Sequence, residues 1–207
     1  IRDRAAGLLL LSELKALGTL RGDAPKPYVA VLGGAKVSDK IAVLEALLAK
    51  VDVLVIGGAM ANTFLAAKGL AMGKSLVEED KLAMARTIMS RASDRKVALL
   101  LPEDVVIADS LDATSGRVVS VSEIPADAMA LYIGPKSVAA FAKAMAGART
   151  VFWNGPMGLF EKAPFAAGTN GVAKTLAELK GAFTVVGGGD SVAAVQDAGL
   201  ASSFSHV

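Results

Sequence analysis

Two short stretches combine residue types that suit work on a polyanion: VAVLGGAKVSDK at 29–40 and FTVVGGGDS at 183–191. In the first, an apolar run from Val29 to Leu32 meets Gly33-Gly34, and Val37, Ile41, Leu44 and Leu48 then follow at helical spacing. A strand, a glycine turn and a helix N-terminus bring unpaired N–H groups and the positive end of the helix dipole to one place, a site for an anion. Lys36 and Lys40 stand four apart, so their ammonium groups share one side of the first turns, about 40° apart at about 100° per residue. Cations there oppose the dipole, and a polyanionic ligand accounts for them better than helix stability does. Two solvated surface lysines is the plainer alternative. In the second stretch, three glycines precede Asp190-Ser191 at a helix start. Either residue can be an ordinary N-cap. A carboxylate beside glycines that face a phosphate site is also where Mg²⁺ would be held. Residue type leaves both readings open.

The same grammar recurs in VDVLVIGGAMANTFL (51–65) with Gly57-Gly58, MALYIGPKS (129–137) with Gly134-Pro135, and VFWNGPMGLFE (151–161) before a helix from about Pro164. Strand, glycine turn, helix, written five times, predicts an α/β fold. The expected architecture is three-layered, Rossmann-like and doubly wound, a mainly parallel sheet flanked by helices. Its ligand site lies at the carboxyl ends of the strands, where the glycines gather. A glycine pair after a buried strand lets a ligand approach the backbone, although packing alone also demands glycine in many such turns. No G-x-G-x-x-G is present, which counts against a dinucleotide-binding dehydrogenase. Gly73-Lys74-Ser75 looks like the tail of a P-loop, but Lys68 stands where the earlier glycine is required and a helix precedes it, so it is no Walker motif.

The remaining elements must position those turns. Residues 3–20 read as a helix with a stripe of Ala6, Leu10, Leu14 and Leu17, and Leu8 on the opposite side hints at cover on two faces. Gly18, Gly22 and Pro25-Lys26-Pro27 lead into the first strand. A helix over about 77–92 precedes a strand at Val97–Leu101, and Pro102 precedes an apolar run at Val105–Ala108. The polar stretch 109–127 reads as a small hairpin excursion at the sheet edge. Val138, Phe141, Ala142 and Met145 form the inner face of the helix after Pro135. The division is a helix and linker at 1–24 and one α/β domain at 25–207.

Composition narrows the function classes. In 207 residues, 53% are hydrophobic and 20% charged, which excludes disorder. With 5% aromatics the apolar content is Ala, Val and Leu, suited to helices on a parallel sheet. No apolar run reaches the roughly 18 residues of a membrane span, and the N-terminus lacks the layout of a signal peptide. Zero cysteines remove disulfides, thiolate metal sites and thiol catalysis, and are compatible with a cytoplasmic setting, organellar or glycosomal variants included. A net charge of +2 with interspersed signs gives no nucleic-acid footprint.

Taken in order, LGGAKVSDK, IGGAMANTFL, IGPKS, VFWNGPMGLFE and VVGGGDS resemble the phosphoglycerate kinase family over nearly the whole chain, and specifically its C-terminal, nucleotide-binding half. The resemblance implies reversible phosphoryl transfer between ATP and the carboxyl group of 3-phosphoglycerate, with Mg²⁺. It implies that Lys36 follows the transferred phosphoryl group, with Gly188 and Gly189 beside it as catalytic positions. Gly33, Gly34 and Ala35 would border the nucleotide, Lys40 its phosphates, and Gly57, Gly58 and Leu131 the adenine. Asn154, Gly155 and Pro156 would border the phosphates and Glu161 the ribose hydroxyls. Gly187 to Gly189 would approach the phosphate chain, with Asp190 on Mg²⁺ and Ser191 on phosphate. Tyr132, Ala130 and Ala59 depart from the family's usual Asp and Gly, which bears on the adenine fit.

The family's substrate half, with its arginines and histidine for phosphoglycerate, has no counterpart here. The chain therefore reads as a fragment that also stops short of a C-terminal glycine segment, a monomer that meets 3-phosphoglycerate only through the missing half and is inactive alone. The alternative is a free-standing α/β module that binds ADP or ATP without turnover. His206, the single histidine, has no assigned role.

Overall fold

A computed structural model describes residues 8–207. After helix α1 (Leu8–Arg21), strands β1 (Tyr28–Leu32), β2 (Val53–Ile56), β3 (Ala98–Leu100), β7 (Thr150–Asn154) and β8 (Phe183–Gly187) form one parallel sheet in the order β3-β2-β1-β7-β8. The central runs are continuous and apolar because the middle of the sheet is covered on both faces, whereas the edge strand β3 is exposed to half-buried. Ala30, Leu32, Leu54 and Ile56 pack on one face beneath α1, α2 (Ile41–Leu48), α3 (Met60–Ala67) and α4 (Leu82–Asp94). On the other face, Val29, Val31, Val55, Val151 and Trp153 pack beneath α5 (Pro135–Met145), α6 (Ala167–Ala177) and α7 (Gly189–Asp197). The three-layer, mainly parallel arrangement expected from the sequence is present.

One of the five repeated units lies elsewhere. Strand β6 (Met129–Ile133) is not in the parallel sheet; it joins β4 (Asp104–Ala108) and β5 (Arg117–Ser120) in a separate antiparallel sheet of order β5-β4-β6. β6 also differs from β1 in coverage. All five residues of β1 are buried, whereas in β6 the buried residues, Leu131 and Ile133, alternate with half-buried ones. That is the pattern of a strand with one closed face. The polar stretch 109–127 accordingly belongs to a second sheet with its own core of Leu65, Val105, Ile107, Val119 and Ile124, rather than to an edge excursion.

Helix α1 differs in rotation from its expected stripe. Ala16 and Leu20 face the core, while Leu14 and Leu17 are exposed at 56% and 48%. At its C-terminal end Lys50 Nζ donates to the Arg21 carbonyl at 2.6 Å. Ala6 and Leu10 of the stripe, and Leu8 opposite it, lie outside the residues whose side chains are described. Among the described residues, no helix is long and apolar enough to cross a membrane.

Candidate functional site

The chain leaves β1 toward β2 and β3 and returns on the other side of β1 with β7 and β8. The switch of direction lies between β1 and β7, the place where open α/β sheets hold ligands. Across it the strands end in register, Leu32 opposite both Ile56 and Asn154, and Asn154 opposite Gly187. The turns that follow are bonded to each other: Gly33 N–H donates to the Asn154 carbonyl and Gly34 N–H to that of Pro156, each at 3.0 Å. The Gly34 carbonyl accepts from Met60 N–H at 3.0 Å, which brings in the turn after β2.

That convergence explains the glycines physically. A Cβ on Gly33 would stand 2.1 Å from the Pro156 carbonyl oxygen, and one on Gly155 2.3 Å from that of Gly33. One on Gly58 would meet the Gly34 nitrogen at 2.7 Å. These three glycines let backbone lie on backbone. Gly34, at φ +111°, and Gly189 instead have open space where a side chain would be. Only glycine holds the Gly34 conformation without strain.

Between these turns and the small sheet lies a cavity of about 450 Å³. Gly34, Ala35, Gly58 and Pro156 form its floor, Leu131 and Met129 an apolar wall, and Glu161 and Asp190 reach its edge. Lys40 Nζ donates to Asn154 Oδ1, joining the turn after β1 to the end of β7. Burial pushes the Lys40 ammonium below its ordinary pKa, and the charges of Asp39 and Asp190 oppose that shift. Gly188, at φ +89°, packs beside Asn154, so Lys40, Asn154 and the third glycine turn adjoin Asp190. Lys36 is exposed just beyond Ala35, and among the described residues no ion pair engages it.

The N-cap of α7 is Gly188, without a side-chain capping bond, so neither Asp190 nor Ser191 serves as one. Ser191 is buried, and its Oγ accepts the Gly155 N–H at 2.6 Å, tying the β8 turn to the β7 turn. Asp190 is exposed at the cavity edge.

Sequence reading missed several residues. Lys74, Leu76 and Leu111 line the cavity, and the two leucines are large apolar side chains left about half exposed at 49% and 55%. Solitary leucines in polar, irregular stretches were the available signal. Glu78 was also missed: its carboxylate accepts from Val37 N–H, from Ser38 N–H at 3.1 Å and from the Ser38 hydroxyl at 2.6 Å. Two backbone donors of this turn, those of Val37 and Ser38, are therefore taken by an internal carboxylate. The turn itself, over Ser38–Lys40, is a 3₁₀ turn, and α2 begins only at Ile41. Similarly, Asp104 on β4 accepts from the N–H groups of Lys136 and Ser137 at 3.0 and 2.7 Å, which fills the N-terminus of α5. His206 acts through its backbone, donating to Thr184 and accepting from Val186 beside β8.

The family model described as phosphoglycerate kinase matches residues 1–207. The chain belongs to the phosphoglycerate kinase family. Phosphoglycerate kinase of Chloroflexus aurantiacus is 55% identical over 205 residues, covering 98% of this chain and 51% of that protein. The Thermus thermophilus protein is 56% identical over 203 residues, covering 98% and 52%. Among solved structures, phosphoglycerate kinase from Coxiella burnetii aligns with a TM-score of 0.93 at 43% identity over 98% of this chain and 52% of its own. The Pyrococcus horikoshii enzyme aligns at 0.77 and 28% identity over 97% and 51%. The chain thus spans about half the length of the relatives it matches. Of the three departures from the phosphoglycerate kinase pattern, Ala59 and Ala130 line the cavity, whereas Tyr132 packs on Phe165 with ring centroids 6.0 Å apart and is not part of the cavity wall.

Proposed function

We propose that this chain is the nucleotide-binding half of a phosphoglycerate kinase and that its cavity holds ADP or ATP with Mg²⁺. The observation that carries this reading is an apolar cavity at the strand ends that borders a cluster of cationic and close-approach groups. Leu131, Leu76 and Met129 line it with an apolar slot for a base, and at its Asp190 border Lys40, Asn154 and the open Gly189 form a neighbouring cluster suited to phosphates. Glu161, which also lines the cavity, is suited to accept from ribose hydroxyls.

In the glycolytic direction a terminal ADP oxygen attacks the acyl phosphate of 1,3-bisphosphoglycerate. The acyl oxygen–phosphorus bond breaks, and 3-phosphoglycerate leaves as a carboxylate while ATP forms; the reverse reaction runs the same path. Such transfer needs positioning and positive charge around the moving oxygens rather than covalent help. Lys36, exposed and unpaired by any described acid, is suited to follow the transferred group. Lys40 is suited to hold the nucleotide phosphates. Mg²⁺ would supply charge neutralisation between phosphate oxygens, and Asp190 is the carboxylate at the cavity edge that fits it. One carboxylate plus phosphates is a common Mg²⁺ set. The acid substrate would be presented by the rest of a phosphoglycerate kinase, and closure around both substrates makes the chain alone silent. It would act as a cytoplasmic monomer, without nucleic-acid or membrane partners.

Calorimetric titration of MgADP into the chain, with Lys40→Ala as control, tests this. One-to-one binding weakened by the substitution is expected, and no binding by a folded chain would overturn it. Supplying the other half of a phosphoglycerate kinase then separates the enzyme reading, which expects turnover, from the binding-module reading, which does not.

A further inference from the structure

We infer that Glu78 is a positioning residue that ties the wall of the base slot to the phosphate-binding turn, so that Lys36 and Lys40 are held in place from across the cavity. The inference rests on the nucleotide reading above.

Residues 74–78 run between the two ends of the site. Lys74 and Leu76 line the cavity, and two residues later the Glu78 carboxylate closes on Val37 and Ser38. Those two residues lie between Lys36 and Lys40, and Lys40 N–H bonds back to the Val37 carbonyl at 2.9 Å. The turn that sets the spacing of the lysines is therefore held through three hydrogen bonds to one carboxylate. Glu78 is anchored in turn by its own N–H, which donates to the buried Thr63 Oγ1 at 3.1 Å on α3.

The base side of the segment has other anchors. Asn62 Nδ2 donates to the Leu76 carbonyl at 3.2 Å, Lys74 N–H to the Ala128 carbonyl at 2.8 Å, and Ala130 N–H to Ser75 Oγ at 2.9 Å. Losing the Glu78 side chain leaves these bonds intact and releases only the turn. An internal carboxylate on the Val37 and Ser38 N–H groups withholds those donors from a phosphate, so this turn contributes through Lys36 and Lys40 and depends on their placement.

The test compares ligands that differ only in phosphate. Adenosine and MgADP are titrated into the wild-type chain, Glu78→Ala and Glu78→Gln, and amide exchange is followed at Val37 and Ser38. Glu78→Ala is expected to weaken MgADP about tenfold or more, the size of one charged hydrogen bond, with adenosine within about twofold. Exchange at both amides should accelerate. Glu78→Gln keeps an acceptor without the charge and should give a smaller MgADP loss of about threefold in the same direction, a readout that stands if the alanine variant does not fold. Equal losses for both ligands, or unchanged MgADP affinity, would overturn the role of Glu78 while leaving the nucleotide site standing. A wild-type chain that binds neither ligand overturns both readings.

Discussion

Lys40 Nζ donates to Asn154 Oδ1, a bond between residues 114 apart in sequence that spans the switch point between β1 and β7. Asn154 thereby limits where a flexible lysine can point, and a ligand meets an ammonium whose rotamer entropy is already spent. Asn154→Ala releases it. MgADP affinity should fall by about three- to tenfold, roughly the net worth of one hydrogen bond, while the chain unfolds at nearly the same denaturant concentration. Calorimetry and urea unfolding on the same variant check both halves.

Lys36 and Lys40 should separate by readout. Lys40→Ala weakens MgADP by about tenfold or more, as loss of a charged phosphate contact implies. Lys36→Ala leaves MgADP within about threefold but slows turnover by about a hundredfold or more once the rest of a phosphoglycerate kinase is supplied, because its charge acts on the group in transit. Equal losses of binding and turnover for Lys36→Ala would make it a ground-state contact.

The glycines predict opposite outcomes for one chemical change. Gly33→Ala drives a Cβ to 2.1 Å from a backbone oxygen that has no freedom to retreat. Its cost should be about 2–4 kcal/mol, measured by denaturant unfolding. Gly189→Ala enters open space at the start of α7 and should leave stability within about 0.5 kcal/mol, yet weaken MgADP by narrowing the phosphate approach.

Asp104→Ala removes a buried carboxylate from two backbone donors and from the Ser137 hydroxyl at 2.7 Å. With the first turn of α5 left unsatisfied, stability should drop by about 2–3 kcal/mol. MgADP affinity should hold in the folded fraction.

Glu78 gives a pH dependence of defined sign. Partial burial pushes its carboxyl up, but hydrogen bonds from the Ser38 hydroxyl and N–H and from Val37 N–H outweigh it and hold the pKa below the ordinary 4.5. As pH falls below 4.5 the unfolded chain takes up the proton first, so the stability that Glu78 contributes is present above 4.5 and is lost as pH falls through the folded pKa. The stability gap between wild type and Glu78→Gln should narrow as pH falls through that range in urea titrations.

What could be read from sequence and what could not divides along a physical line. β1, β2, β7 and β8 are legible because burial on both faces leaves an uninterrupted apolar run, and the Gly33-Gly34 turn because it directly follows such a run. β6 was assigned to the wrong sheet, since its run of five carries the same glycine ending and only its alternating burial betrays the difference. Leu14 and Leu17 of α1 were assigned inward because periodicity gives a stripe without saying which edge of it the sheet meets. Glu78 and Asp104 escaped notice because their partners lie 41 and 33 residues away, and no local pattern announces a carboxylate that caps a distant turn.

The cavity is bounded by two separately built sheets. Its floor belongs to the turns of the parallel sheet, and its apolar wall to β6 and the loops of the antiparallel one. The two ends of a bound nucleotide would then be inherited independently. Substitutions that tilt or reshape the small sheet can change which base is accepted while the phosphate grip persists, and the main-chain floor constrains only its glycines. For a nucleotide held in this cavity, base preference would be free to drift faster than the phosphate contacts.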